Sequence, residues 1–451
     1  MSRAPPLLRR LIADFGCCSA YRVGLSLFTA ATFAAWTTEV RAQSLDLYFP
    51  TGVSGYDQQL GVTVLSRLRP GYETPGIRAG GFLIRPDADV STFYNSNVNG
   101  VPGSASSGSR ATGSVSAASD WERDSLGASV GVDHYQFFSL PGESYTDWNV
   151  GAVGGYTIDE SQLTLAYYHS SYHQLGTGIA TVQSVTPVSD STDSARLSYT
   201  FTFSRLTVTP DISFGAYRYG TASVLGTPVN LGFLDRNAFA GGVTNRYSLS
   251  DEGGVLVVLR GVSSQYTAQQ PGAPNNDSTS FLLLAGLDYQ AKSVWRYRLL
   301  VGVEVREFAD NQFATRTAPI AEGSVIWQPT GLTTVTGSLS RQIEDPQSAG
   351  TNGYVLTQAR LAVDHELRRD IILQARVGAQ YAQYLQGGAQ TNVTTGLSAN
   401  WLMNRNMRLS FDCDFTKQIG SNSSSTTNNP TTLTSGAYNQ NIVALRLHLA
   451  L

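Results

Sequence analysis

Between Trp295 and Arg306 the chain alternates residue by residue. Trp295, Tyr297, Leu299, Val301, Val303 and Val305 make one face; Arg296, Arg298, Leu300, Gly302, Glu304 and Arg306 make the other. A period of two belongs to an extended strand, whose successive side chains leave opposite faces of a sheet. One face is wholly apolar and starts with an aromatic ring; the other carries four charges. A sheet holds arginine at that density only where that side is wet. The stretch therefore predicts a strand with hydrocarbon on one side and water on the other.

The unit recurs along the chain. From Phe82 onward, Ile84, Pro86, Ala88, Val90, Thr92 and Tyr94 oppose Arg85, Asp87, Asp89 and Ser91. Pro86 fits best at an edge or bulge, as in a strand that closes a seam. Leu197, Tyr199, Phe201 and Phe203 oppose Arg196, Ser198 and Thr200, and Met407, Leu409, Phe411 and Phe415 oppose Arg408, Asp412 and Asp414. Short polar turns, such as Asp159-Glu160 and Arg369-Asp370, alternate with longer Gly/Ser/Asn/Pro-rich links at 95–108, 173–191, 219–235, 267–279, 343–353 and 418–438. Tight turns on the periplasmic side and loops outside are the habit of bacterial outer-membrane barrels. The count predicts an all-β, transmembrane, antiparallel up-and-down β-barrel of about 18 strands. Sixteen also fits, because the facing of Val255 to Tyr266 is ambiguous.

Aromatic residues give an independent check. Trp121, Trp295, Trp327 and Trp401 fall on the apolar face beside short turns, while Tyr94, Trp148, Tyr167, Phe281, Tyr381 and Phe415 fall beside long links. Amphipathic rings settle where hydrocarbon meets headgroups, so two girdles are expected at the two water boundaries.

Composition adds constraints. The 451 residues are 14% charged, include 44 glycines, and hold no uninterrupted apolar run of the about 18 residues that a membrane helix needs. A formal charge of -3 argues against a nucleic-acid partner. Residues 1–42 read as a secretory signal: Arg9, Arg10 and Arg22, then the apolar run Val23 to Trp36, then Val40-Arg41-Ala42 for cleavage. Residues 43–80 read as a periplasmic lead-in and 81–451 as the barrel. Cys17 and Cys18 lie in the leader, so the mature chain keeps only Cys413, which reads as a small lipid-facing residue. The last strand, Asn441 to Leu451, alternates and ends on an apolar residue, as recognition signals for the barrel-assembly machinery do, with Leu451 where an aromatic is commoner.

The segment Ser66 to Val98 resembles the entry to the outer-membrane β-barrel porins of Proteobacteria, which are often found beside exopolysaccharide genes. Arg69 to Tyr72 (Arg-Pro-Gly-Tyr) and Gly76 to Arg78 (Gly-Ile-Arg) carry the likeness. The resemblance implies an outer-membrane channel and transfers no catalytic residue.

Catalytic chemistry is sparse. The five histidines, His134, His169, His173, His365 and His448, belong to no Gly-x-Ser-x-Gly elbow and no His-Glu-x-x-His helix. Gly151, Gly154 and Gly155 sit within a strand and form no phosphate loop. No enzyme, cofactor or metal site is expected. The inward face is predicted to line a pore with Arg85, Asp87, Asp89, Arg196, Arg296, Arg298, Glu304, Arg306, Arg360, Asp364, Arg376, Arg408, Asp412 and Arg446. Such a wall either filters solutes by sign or pairs its own charges. The near balance of signs favours pairing. Inward Tyr168, Tyr217 and Tyr266 either stack on sugars or fill space. The expected function is a porin-like channel for small hydrophilic solutes. The alternative is an accessory barrel for exopolysaccharide secretion or surface attachment, gated by its N-terminal segment. The expected partners are outer-membrane lipid and lipopolysaccharide, the assembly machinery, and polysaccharide or small solutes.

Overall fold

The computed structural model describes residues 63–451 except 102, 183, 225, 269–274, 290–293, 346–351, 386 and 422–436. The predicted leader with Cys17 and Cys18, most of the lead-in and the turn at 291–293 lie outside the described residues. In chain order the strands are β1 (Ile77–Ala79), β2 (Phe82–Asn95), β3 (Ser106–Ser119), β4 (Ser125–Phe137), β5 (Tyr145–Ile158), β6 (Ser161–Gln174) and β7 (Val188–Thr202). Next come β8 (Leu206–Tyr219), β9 (Thr221–Val224), β10 (Thr227–Asn230), β11 (Arg236–Ser248), β12 (Gly253–Tyr266), β13 (Ser278–Tyr289) and β14 (Trp295–Phe308). The chain ends with β15 (Arg316–Thr330), β16 (Thr333–Glu344), β17 (Tyr354–Arg368), β18 (Ile371–Tyr384), β19 (Ala389–Leu402), β20 (Met407–Ser421) and β21 (Tyr438–Ala450).

Eighteen of these, β2 to β8 and β11 to β21, form one closed antiparallel barrel, sealed by β2 against β21. The predicted count of eighteen holds. β21 pairs only with Asp87–Asn95 of β2, and β1 covers Phe82–Ile84 on the same edge. Pro86 lies just past the closing ladder, where its carbonyl accepts the Leu451 N–H at 3.2 Å. A residue without a donor costs nothing where the ladder has already stopped. β9 and β10 form a separate hairpin in the link between β8 and β11.

Alternation sorts the two faces as expected. Val301 is 67% exposed on the outside while its neighbour Leu300 is 1% exposed on the inside. Cys413 is exposed on the outer face, between Leu397 and Val443 on the flanking strands. Trp295 and Trp327 are cross-strand partners whose rings stack 5.2 Å apart, and both stay exposed at the short-turn rim. Among the described residues no helix is long and apolar enough to cross a membrane.

Two expectations are corrected. The inner wall is not polar throughout: Leu256, Val258, Leu282, Leu284, Leu300 and Ile320 form a buried apolar cluster on the inward side of β12 to β15. Their cross-strand neighbours include Arg246, Arg260, Glu304 and Glu322, so long polar side chains border the patch. This explains the ambiguous facing of β12, which is apolar on both sides. The link at 173–191, read as an outside loop, instead folds back into the barrel mouth.

Candidate pore and its constriction

The inward charges pair with one another along the wall. Arg260 donates to Asp211 at 2.6 and 2.8 Å, with Arg196 3.4 Å from the same carboxylate. Asp288 takes Arg246 at 3.0 Å and stands 4.0 Å from Arg298. Arg446 reaches Asp412 at 2.8 Å, and the Ser398 hydroxyl donates to that same acid at 2.6 Å. Arg376 pairs with Asp414 and donates to Ser398. His448 lies 3.0 Å from Asp89 and 3.6 Å from Asp87. Asp364 is buried and accepts from Gln374 at 2.8 Å. Arg85, Arg296 and Arg408 are half-buried on the inner face, and Arg360 is exposed there. Charges taken partly out of water are stable when each finds a partner close by. Sequence reasoning missed Arg110, which pairs with Asp133 and lies 4.8 Å from the Tyr135 ring.

The link between β6 and β7 enters the barrel mouth. Around the ring of eighteen, β6 and β7 stand fifth and sixth, and β17 and β18 stand fourteenth and fifteenth. Nine places is half the circle, so these pairs face each other across the diameter. Ile179 and Ala180, from the link, are buried against Tyr354, Leu356, Ala382 and Tyr384 of β17 and β18. The link therefore spans the mouth. The Ala180 N–H donates to the Gln390 side chain at 2.7 Å, and the Tyr438 hydroxyl donates to the Thr177 carbonyl. Nearer its root, Leu175 packs with Phe93, Phe137 and Tyr145, and Val182 packs with Val224 and Leu231 of the β9–β10 link. Backbone carbonyls drawn away from water need such partners.

The rim opposite is drawn inward as well. Asp345, directly after β16, is buried between Arg236 of β11 at 3.0 Å and Arg306 of β14 at 2.8 Å. Burial works against its charge, but the two guanidiniums outweigh this and hold the carboxyl below the usual carboxylate range. Arg236 also lies over Tyr217 at 4.3 Å and donates to the Tyr219 hydroxyl at 3.0 Å. Tyr217 is therefore buried under a guanidinium, a space-filling role, while Tyr168 is half-buried.

At the short-turn end the lead-in enters the barrel. Val64, with Leu65 and Tyr72, packs on Ile372 and Leu402. The Val64 N–H donates to the Thr334 hydroxyl at 3.0 Å, and Arg67 and Arg69 both reach Glu366. His134 and His169 lie on the outer face near the long-link rim, bonded to Thr146 and Asp193. Among the described residues no group of three metal-ligating side chains gathers.

No curated protein sequence matches this chain. Solved structures of similar shape include the apo FrpB iron transporter of Neisseria meningitidis, at 9% identity over 81% of each chain with a TM-score of 0.45. Two others are from Pseudomonas aeruginosa. The outer membrane protein opdK is 10% identical, over 82% of this chain and 99% of that one, with a TM-score of 0.41. OccK2 (OpdF) is also 10% identical, over 82% and 98%, with a TM-score of 0.43. At such identities and TM-scores these likenesses decide nothing about this chain. A family match is more telling: it covers residues 69–437 and begins at Arg69, the first residue of the Arg-Pro-Gly-Tyr stretch. The chain belongs to the β-barrel porin family described as "Putative beta-barrel porin 2".

Proposed function

We propose that this protein is a passive outer-membrane channel for small hydrophilic solutes, selecting by size more than by charge. The observation that carries the reading is the inner wall, where inward-facing arginines meet inward-facing acids within one or two strands. A wall that neutralises itself offers a polar surface without a strong field of either sign. An eighteen-strand ring is wide enough for an aqueous passage unless something folds in. Here the β6–β7 link does fold in and sets the narrowest level. With its wall charges engaged in ion pairs, the barrel acts as a conduit and not as an enzyme. Residues 1–42 would be removed on export, leaving both termini on the periplasmic side. No comparison speaks for the polysaccharide-secretion alternative. Purified protein in planar bilayers should give stable single-channel steps with a reversal potential near zero in a KCl gradient. Complete electrical silence would sink the channel reading, and a strongly ion-selective current would sink the size-over-charge reading.

A further inference from the structure

Pairing between β15 and β16 stops at Ala321↔Arg341, although β14 follows β15 out to Arg316 and β17 follows β16 out to Glu344. One more pair of rungs in the same register would set Pro319 opposite Ile343. Proline has no N–H to give, so that rung can make only one of its two bonds. Its groups find other partners. The Ile343 N–H donates to Glu304 Oε2 at 3.3 Å, and Arg306 Nη2 donates to the Ile343 carbonyl at 3.1 Å. The stranded Pro319 carbonyl accepts from Arg341 Nε at 3.1 Å. Ile343 belongs to the outward face of β16, yet it is buried in one cluster with Ala318, which belongs to the inward face of β15. The end of β16 therefore passes inside the wall. Asp345 then locks onto Arg236 and Arg306, and Arg316 donates to the Leu385 carbonyl at 2.9 Å, drawing in the β18–β19 turn.

We infer that the outer end of β16 is a tucked gate, set by Pro319 and latched by Asp345, which opens the mouth by rejoining β15. The inference rests on the channel reading. The tuck gives both backbone groups of Ile343 a partner, Glu304 for the N–H and Arg306 for the carbonyl, whereas zipping into the wall gives the N–H the Pro319 carbonyl and leaves the Ile343 carbonyl without a donor opposite, so proline weights the balance toward the tuck. Tyr354 and Tyr384, on which the crossing link lands, stand on the adjoining strand ends. Release of the gate removes Glu344, the cross-strand partner of Tyr354, and so loosens the landing place of the link.

The test uses the exported protein, without residues 1–42, carrying Cys413→Ser and Ile343→Cys, alone and combined with Asp345→Asn or Pro319→Thr. A small maleimide in detergent reads the tuck, and planar bilayers read the current. Labelling of the cysteine should rise at least about tenfold in either combination, the least expected from losing a buried ion-pair partner or restoring a rung. Single-channel conductance or open probability should rise with it. Equal labelling in parent and both combinations would overturn the gate, whatever the currents do. Silence in the bilayer with raised labelling would instead defeat the channel reading and leave the gate standing. The two substitutions act on different strands, so if one prevents folding the other still decides.

Discussion

At the scale of single residues, the wall is held by choices that alternation alone does not reveal. Gly302 and Gly286 face inward beside Leu284 and Leu300; a Cβ on Gly302 would lie 1.8 Å from the Leu283 carbonyl oxygen, and one on Gly286 equally close to that of Leu299. Gly302→Ala should therefore force β13 and β14 apart and cost about 1–3 kcal/mol, the usual range for overpacking. A lowered midpoint in the heat-induced gel-mobility shift of the detergent-solubilised barrel would register it. Glu143 offers a pH-dependent counterpart. It sits in the short 3-10 turn Pro141–Glu143 of the β4–β5 link, with Asn99 3.5 Å away. Burial pushes its carboxyl up to about 7, with the Asn99 bond opposing. A folded-state pKa raised above the unfolded one stabilises at low pH, and that stabilisation is lost as pH rises from about 4.5 through 7. The links at 96–105 and 138–144 should thus loosen over that window. The protection factor of the Val98 amide, its exchange rate corrected for the intrinsic rise with pH, should fall over this window in the parent and stay flat in Glu143→Gln.

At the scale of elements, the strands were legible and the link that matters most was not. Strands announce themselves because two solvents act on alternate residues, as in β2 and β14, where Val90 and Val301 face out and Ser91 and Leu300 face in. A link meets no such rule, and the eye reads length and glycine as a surface loop. Yet the β6–β7 link carries Leu175, Ile179, Ala180, Val182 and Val185, an apolar load that the Ser/Thr/Asn-rich 422–436 link lacks. That contrast is the signal for infolding, since an apolar loop gains by finding cover. Ile179 is the point of landing, with no exposed surface. Ile179→Asp would bury a carboxylate among Tyr354, Leu356 and Tyr384 without a partner, which costs several kcal/mol. The link should lift off, and conductance should rise about twofold or more while the barrel itself persists. An unchanged conductance would show that the narrowest level lies elsewhere. The inner apolar patch was illegible for another reason: Leu256 and Val258 sit on a strand with both faces apolar, where a period of two has nothing to distinguish.

At the scale of the whole molecule, the question is whether charge or geometry decides what passes. The fourteen inward positions named from sequence come from seven strands, and the sequence could not say which would meet. In the barrel Arg446 of β21 meets Asp412 of β20 and Arg306 meets Glu304 on β14, while Arg196 of β7 shares Asp211 of β8 with Arg260 of β12, two residues outside the fourteen. Each such pair cancels a local field that a lone charge would project into the water. If the cancellation is what makes the passage indifferent to sign, undoing it at one place should restore a preference. Arg446→Gln keeps a polar side chain, two atoms shorter, and removes the guanidinium, leaving Asp412 with the Ser398 hydroxyl as its bonded neighbour. The uncompensated carboxylate should attract cations and repel anions over roughly a Debye length, about 10 Å at 0.1 M salt. The reversal potential in a KCl gradient should shift toward the cation-selective side, more at low salt than at high. Asp412→Asn should shift it the other way, and the double substitution should return it to near zero. A reversal potential that ignores all three would mean that the wall charges are mute and that the crossing link alone governs passage.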